Sequence, residues 1–142
     1  MPHPRYRSQT ARLASFAAMT VVAATMGAAP TLAGTSWTDA TGSFGTFSLP
    51  DEPKGSVGFD YSGSGGGTFS GRFVTIKCAG CGWELRGLWV EPSSGQKCST
   101  AKGGFYYWGT VSWKFSGDYK SFKGAWGYCD GPATKSSHGS RN

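Results

Sequence analysis

Histidine is almost missing from this chain: His3 stands near the start and His138 near the end. A Ser-His or Cys-His nucleophile needs its base held to about an ångström on a rigid element. Neither histidine lies in a segment patterned to provide that. The Gly63–Gly67 run lacks the G-x-x-x-x-G-K-S/T spacing and precedes a strand, so it reads as a turn and not as a phosphate cradle. Cys98 and Cys129 are too far apart to supply the second close pair of a four-cysteine zinc site. Glu84 and Glu91 fall on opposite faces of one strand and cannot flank a glycosidic bond together. The sequence therefore predicts no catalytic residue, no metal and no cofactor, and the chain reads as a non-enzyme. Lys and Arg are scattered between Lys54 and Arg141 without a run, which speaks against a nucleic-acid partner.

Long apolar stretches are confined to the start. Arg5, Arg7 and Arg12 precede an apolar run from Leu13 to Ala29, followed by Thr31-Leu-Ala33, the small-x-small pattern of an export cleavage site. Residues 1–33 are expected to be a signal peptide, which makes the protein secreted or periplasmic. No membrane association is expected once the leader is gone, because nothing later could cross a bilayer. The leader holds three of the 14 basic residues and none of the eight acidic ones, so the remaining 109 residues carry about +3 and form one domain with a modest core.

Leu and Ile are few beyond residue 33, whereas six Trp, five Tyr and eight Phe fall there beside 22 Gly. Rings must build the core, and helical periodicity is absent. One phrase occurs three times: Phe69-Ser-Gly71-Arg-Phe73, Leu85-Arg-Gly87-Leu-Trp89 and Phe122-Lys-Gly124-Ala-Trp126. Period-2 alternation puts the apolar residue, the glycine and the aromatic on one face, so a curved sheet can close over large rings. Trp89, Trp113 and Trp126 are expected to share that face. Strands are predicted over 44–49, 57–61, 68–76, 83–91, 105–115 and 121–128. The fold class is thus all-β, a small antiparallel up-and-down meander or barrel of about six to seven strands over 34–130, with a disordered tail over 131–142.

All four cysteines, Cys78, Cys81, Cys98 and Cys129, lie in the exported part, where disulfides are the default. Three pairings are possible. The favoured one joins Cys78 to Cys81 across a turn and Cys98 to Cys129, tying the Pro92–Gly104 loop to the end of the last strong strand.

The segment Thr110-Val-Ser-Trp113-Lys-Phe115-Ser116-Gly-Asp118-Tyr-Lys120-Ser-Phe122-Lys-Gly124 resembles a strand–turn–strand of the avidin family, with T-V-x-W-K-F-S followed by F-x-G. Trp37-Thr-Asp39-Ala-Thr-Gly42-Ser43 is similar to that family's first strand, and Phe59-Asp-Tyr61 to its Tyr-bearing second one. The resemblance covers about a third of the mature chain. It implies a calycin-type barrel with a ligand, biotin in that family, at its mouth. Trp113 and Phe122 would be aromatic walls, Ser43 and Tyr61 donors to the ligand's carbonyl oxygen, and Ser116 a contact near the entrance. Asp39 stands where the family has Asn, and an ionised carboxylate cannot donate to a carbonyl. Lys120 takes a Thr position.

The expected function is binding of a small-molecule or carbohydrate ligand at an aromatic-lined mouth. The alternative is a protein partner, as for a protease inhibitor or surface-interaction module, engaged through the Pro92–Gly104 loop with Tyr106 and Tyr119 exposed beside it.

Overall fold

A computed structural model describes residues 34–76 and 82–142. The expected leader and the expected Cys78–Cys81 pairing lie outside the described residues. Eight strands follow in order: β1 (Thr35–Asp39), β2 (Thr46–Leu49), β3 (Ser56–Tyr61), β4 (Gly67–Thr75), β5 (Trp83–Glu91), β6 (Tyr107–Phe115), β7 (Ser121–Trp126) and β8 (Lys135–Arg141). All neighbours are antiparallel, in the sheet order β2-β1-β8-β7-β6-β5-β4-β3. Because β8 pairs with β1, the sheet curls almost into a barrel whose two edges are β2 and β3.

The strand count corrects the expected six or seven, and residues 131–142 are not a disordered tail. β8 carries Ser, His and Gly instead of an apolar alternation, yet it pairs with β7 on one side and β1 on the other. Its inward positions are small for a reason. A Cβ at Gly139 would fall 2.6 Å from the Phe122 ring, and Ser137 is buried where its hydroxyl donates to Asp39. Neighbouring rings fill the space that an apolar β8 would otherwise occupy.

The thrice-repeated phrase builds the interior. Phe69 pairs with Trp89 and Gly71 with Gly87 across β4 and β5. A Cβ at either glycine would lie 2.5 Å from the tip of the Phe69 ring, which therefore rests on a bare cross-strand glycine pair. Phe47, Phe59, Phe69 and Trp113 lie near parallel, with interplanar angles of 13 to 21°. Trp37, Phe115, Tyr119 and Phe122 continue the packing towards one end. Tyr119, expected to be exposed, is buried; its hydroxyl donates to the Pro50 carbonyl oxygen, and burial raises its pKa. The reason is its positive φ of 54°, which turns the side chain back under the barrel end.

Antiparallel pairing sets Asp39, Tyr61, Glu91, Trp126 and Lys135 at one end of the barrel and Leu49, Trp83, Phe115 and Arg141 at the other. The Cys98–Cys129 disulfide, with Cα atoms 5.5 Å apart, fastens the β5–β6 connection to the chain just past β7, beside the first of these ends.

Candidate functional site

Among the described residues four buried side-chain polar atoms lack a hydrogen-bond partner: the indole N–H groups of Trp37 and Trp113 lie in the core, and a Glu91 carboxylate oxygen and the Trp126 indole N–H lie at one end of the barrel. Glu91 closes β5 in phase with Leu85, Gly87 and Trp89, so its side chain points inward and is 4% exposed. One carboxylate oxygen accepts a 2.8 Å hydrogen bond from the Tyr61 hydroxyl. The other oxygen is buried without a hydrogen-bond partner. Burial raises the pKa of Glu91 against the opposing pull of the Ser94 hydroxyl, which lies near the carboxylate, and of Tyr61, and burial beside this carboxylate raises that of Tyr61. Tyr61 is pressed against the chain at Gly67, where a Cβ would lie 2.4 Å from its hydroxyl.

Trp126 ends β7 on the same inward face, half-buried, and its indole N–H is also buried without a partner. Glu91 and Trp126 both line one small void of about 10 Å³, together with Ser43, Phe44, Ser64 and Trp89. That space suits a single water or hydroxyl group. Trp89 and Trp126, which line it, stand edge to face with each other and with Tyr128, with centroids 5.2 to 5.6 Å apart. The Lys135 ammonium lies 5.5 Å from the Trp126 ring and 5.6 Å from the Tyr128 ring.

The residues expected at the site divide into three groups. Ser43 and Tyr61 reach the barrel end just described, although the Tyr61 hydroxyl is already given to Glu91. Asp39 is at this end too, but its carboxylate is fully engaged: it accepts from the backbone N–H of Phe44 and Thr41 and from the hydroxyls of Thr41 and Ser137. It holds the β1–β2 turn. Trp113 and Phe122 sit deep in the barrel, 0% and 3% exposed and 4.6 Å apart, among Phe44, Phe47, Phe59 and Phe69. They are core. Ser116 lies at the opposite end, where its hydroxyl donates to Asp118 and accepts from the Lys120 and Ser121 N–H groups, shaping the β6–β7 turn. Ser116 and Ser43 therefore do not share a site.

Sequence reasoning overlooked Glu91, Trp126 and Lys135 as partners in one place. The available signal was phase: a carboxylate two residues beyond the inward Trp89 must point inward. Glu84, one position out of phase, is held on the outer surface by Arg86 and Ser112; the Arg86 contact lowers its pKa.

A second opening runs along the seam between β2 and β3, a cleft of about 880 Å³ lined by Phe47, Leu49, Val57 and Phe59 inside and by Ser48 and Asp60 at its lip. Among the described residues no group of three or more His, Cys, Asp and Glu side chains comes together to hold a metal ion. No family model, no curated protein and no solved structure matches this chain.

Proposed function

We propose that this chain is an exported, non-enzymatic binding protein that takes a small hydroxylated ligand, such as a sugar, at the aromatic-lined end of its barrel. One observation carries the reading: Glu91 and Trp126, each with a buried unpaired polar atom, line the same hydroxyl-sized void. A buried polar atom left unpaired costs about 1–3 kcal/mol. A ligand hydroxyl satisfies both at once, donating to Glu91 and accepting from Trp126, while the half-buried faces of Trp126 and Tyr128 offer surface to the apolar side of a sugar ring. Biotin, which the resemblance to avidin brings in, would have to use this same end, because the Trp113 region is filled by rings.

The test is intrinsic Trp emission of the exported chain titrated with monosaccharides, short oligosaccharides and biotin. A saturable change is expected, weakened at least tenfold in Trp126→Phe, which keeps a ring and removes the N–H, and in Glu91→Gln. Emission unmoved by every probe, or a titration indifferent to both substitutions, refutes the reading.

A second reading, protein binding through the Pro92–Gly104 loop, has its own support. Phe105 and Tyr106, just past the loop, are 43% and 45% exposed, and the turn before them is held by the paired backbones of Lys102 and Phe105 and by the Cys98–Cys129 bridge. Rigid exposed aromatics are the usual anchors of an interface. This reading requires a partner lost on Phe105→Ser and retained on Trp126→Phe.

A further inference from the structure

Lys135 opens β8 directly opposite Trp126, in phase with the inward Ser137 and Gly139, so its side chain reaches over the barrel end instead of away from it. Its ammonium lies over the Trp126 and Tyr128 rings. Among the described residues, the ion pairs are those of Lys54, Arg86 and Arg141, and Lys135 has no carboxylate partner. Of the carboxylates at this end, Asp39 is consumed by its turn, Glu91 is buried, and Asp130 in the β7–β8 connection makes no ion pair with Lys135. The 92–106 segment that borders this end adds Lys97 and Lys102 and contains no Asp or Glu. Lys97, Lys102 and Lys135 thus stand against Asp130 on this rim, and one of these cations is poised on the two rings that a ligand would cover.

We propose that the ligand is an acidic sugar, a uronic acid or its oligomers, whose carboxylate pairs with Lys135 while a ring hydroxyl enters the void between Glu91 and Trp126. The inference rests on the ligand-binding reading above and adds the charge of the ligand. A carboxylate supplies what Lys135 lacks, a charge-assisted hydrogen bond at the rim, and a sugar ring supplies the hydroxyl and the apolar face that the orphaned groups and the aromatics lack. A cationic ligand would meet the ammonium already there. A neutral sugar would leave it unpaired.

The test compares galacturonic acid with galactose, and glucuronic acid with glucose, by Trp emission and calorimetry on the exported chain at low ionic strength. The acids are expected to bind at least about tenfold more tightly than their neutral parents, the difference one charge-assisted contact makes. That advantage should shrink with added salt and with Lys135→Gln, and survive in Lys135→Arg. Thermal melts of both variants show whether they remain folded. Equal binding of acid and neutral sugar, or an acid preference untouched by Lys135→Gln, overturns the charge assignment and leaves the sugar site standing. No binding of any of the four sugars overturns both.

Discussion

Trp113 permits a sharp test of what fills the barrel. It is fully buried, within 4.6 to 6.4 Å, centroid to centroid, of the rings of Phe44, Phe47, Phe59, Phe69 and Phe122, and its indole N–H has no hydrogen-bond partner. Trp113→Ala removes the hub of that stack and should cost about 3–5 kcal/mol. A domain of this length has roughly 5–15 kcal/mol of stability in total, so this one truncation consumes a large share. Trp113→Phe separates two effects of opposite sign. The loss of about three buried heavy atoms costs roughly 2–2.5 kcal/mol at about 0.8 kcal/mol per carbon. Removing an unpaired buried donor returns about 1–3 kcal/mol. The net change should lie within about 1 kcal/mol of zero, against 3–5 for alanine. Urea unfolding followed by far-ultraviolet circular dichroism measures both, with unchanged m-values as the check that the unfolded state is not altered. If Trp113→Phe costs as much as alanine, the N–H is satisfied in solution and the dry, filled interior is wrong. If alanine costs less than about 1 kcal/mol, the ring is not core at all.

Glu91 should make the protein acid-preferring in one window. Its folded pKa is raised by burial, so the protonated form is favoured in the folded state; stability is full below the unfolded value, falls as pH rises through the folded one, and stays lower thereafter. Glu91→Gln should flatten that fall in thermal melts across the acidic range, and an unchanged profile would show that another group causes it. Asp39→Ala should cost about 1–3 kcal/mol, because it strips the partner from the buried Phe44 N–H and from the part-buried Thr41 N–H of the β1–β2 turn, and should show in melts whether or not a ligand is present. Cys98→Ser with Cys129→Ser opens a loop whose ends are 31 positions apart and should cost about 3–4 kcal/mol in the chain-entropy treatment, read by urea titration. Ser116→Ala, at the far end, should leave any Trp-emission titration unchanged; a weakened one would mean that the ligand enters there.

The architecture was legible where glycine and rings alternate and illegible where they do not. The repeated phrase announces its inward face because bulky and bare positions recur with period 2, and β5 spans residues 83–91 as the alternation indicates. β8 could not be read, since Ser137 and Gly139 owe their small size to Asp39 and Phe122, residues far away in sequence. The same limit governs the site. A strand pattern tells that Trp126 faces inward but not that β7 ends there, and depth along the barrel separates a core ring such as Trp113 from a rim ring such as Trp126. Local resemblance matched Trp113 and Phe122 to ligand walls; their depth makes them packing.

The two openings of the molecule also differ in kind, and backbone chemistry explains why. At the Glu91 end β2 and β3 still touch: Ser62 N–H donates to the Thr46 carbonyl oxygen, Gly63 N–H to that of Phe44, and the Ser62 hydroxyl accepts from Thr46 N–H. Continuing that antiparallel register by two residues per step sets Ser48 against Asp60 and Pro50 against Gly58. Pro50 has no N–H to give, and Gly58 has no side chain to pack across the gap. The ladder stops after its first rung, and the Pro50–Gly58 step beyond Ser48 and Asp60 could not resume it, so the strands splay and Phe59 is left half-exposed in the seam. A proline, a bare glycine and the charge of Asp60 are also what protects an exposed edge from pairing with another strand. The seam is thus accounted for by its own covalent chemistry without a ligand. Glu91 and Trp126 are not accounted for in that way: of the residues with a buried unpaired polar atom, they are the two that line a void together, and that is why the barrel end, and not the larger cleft, is the place to look for what this protein binds.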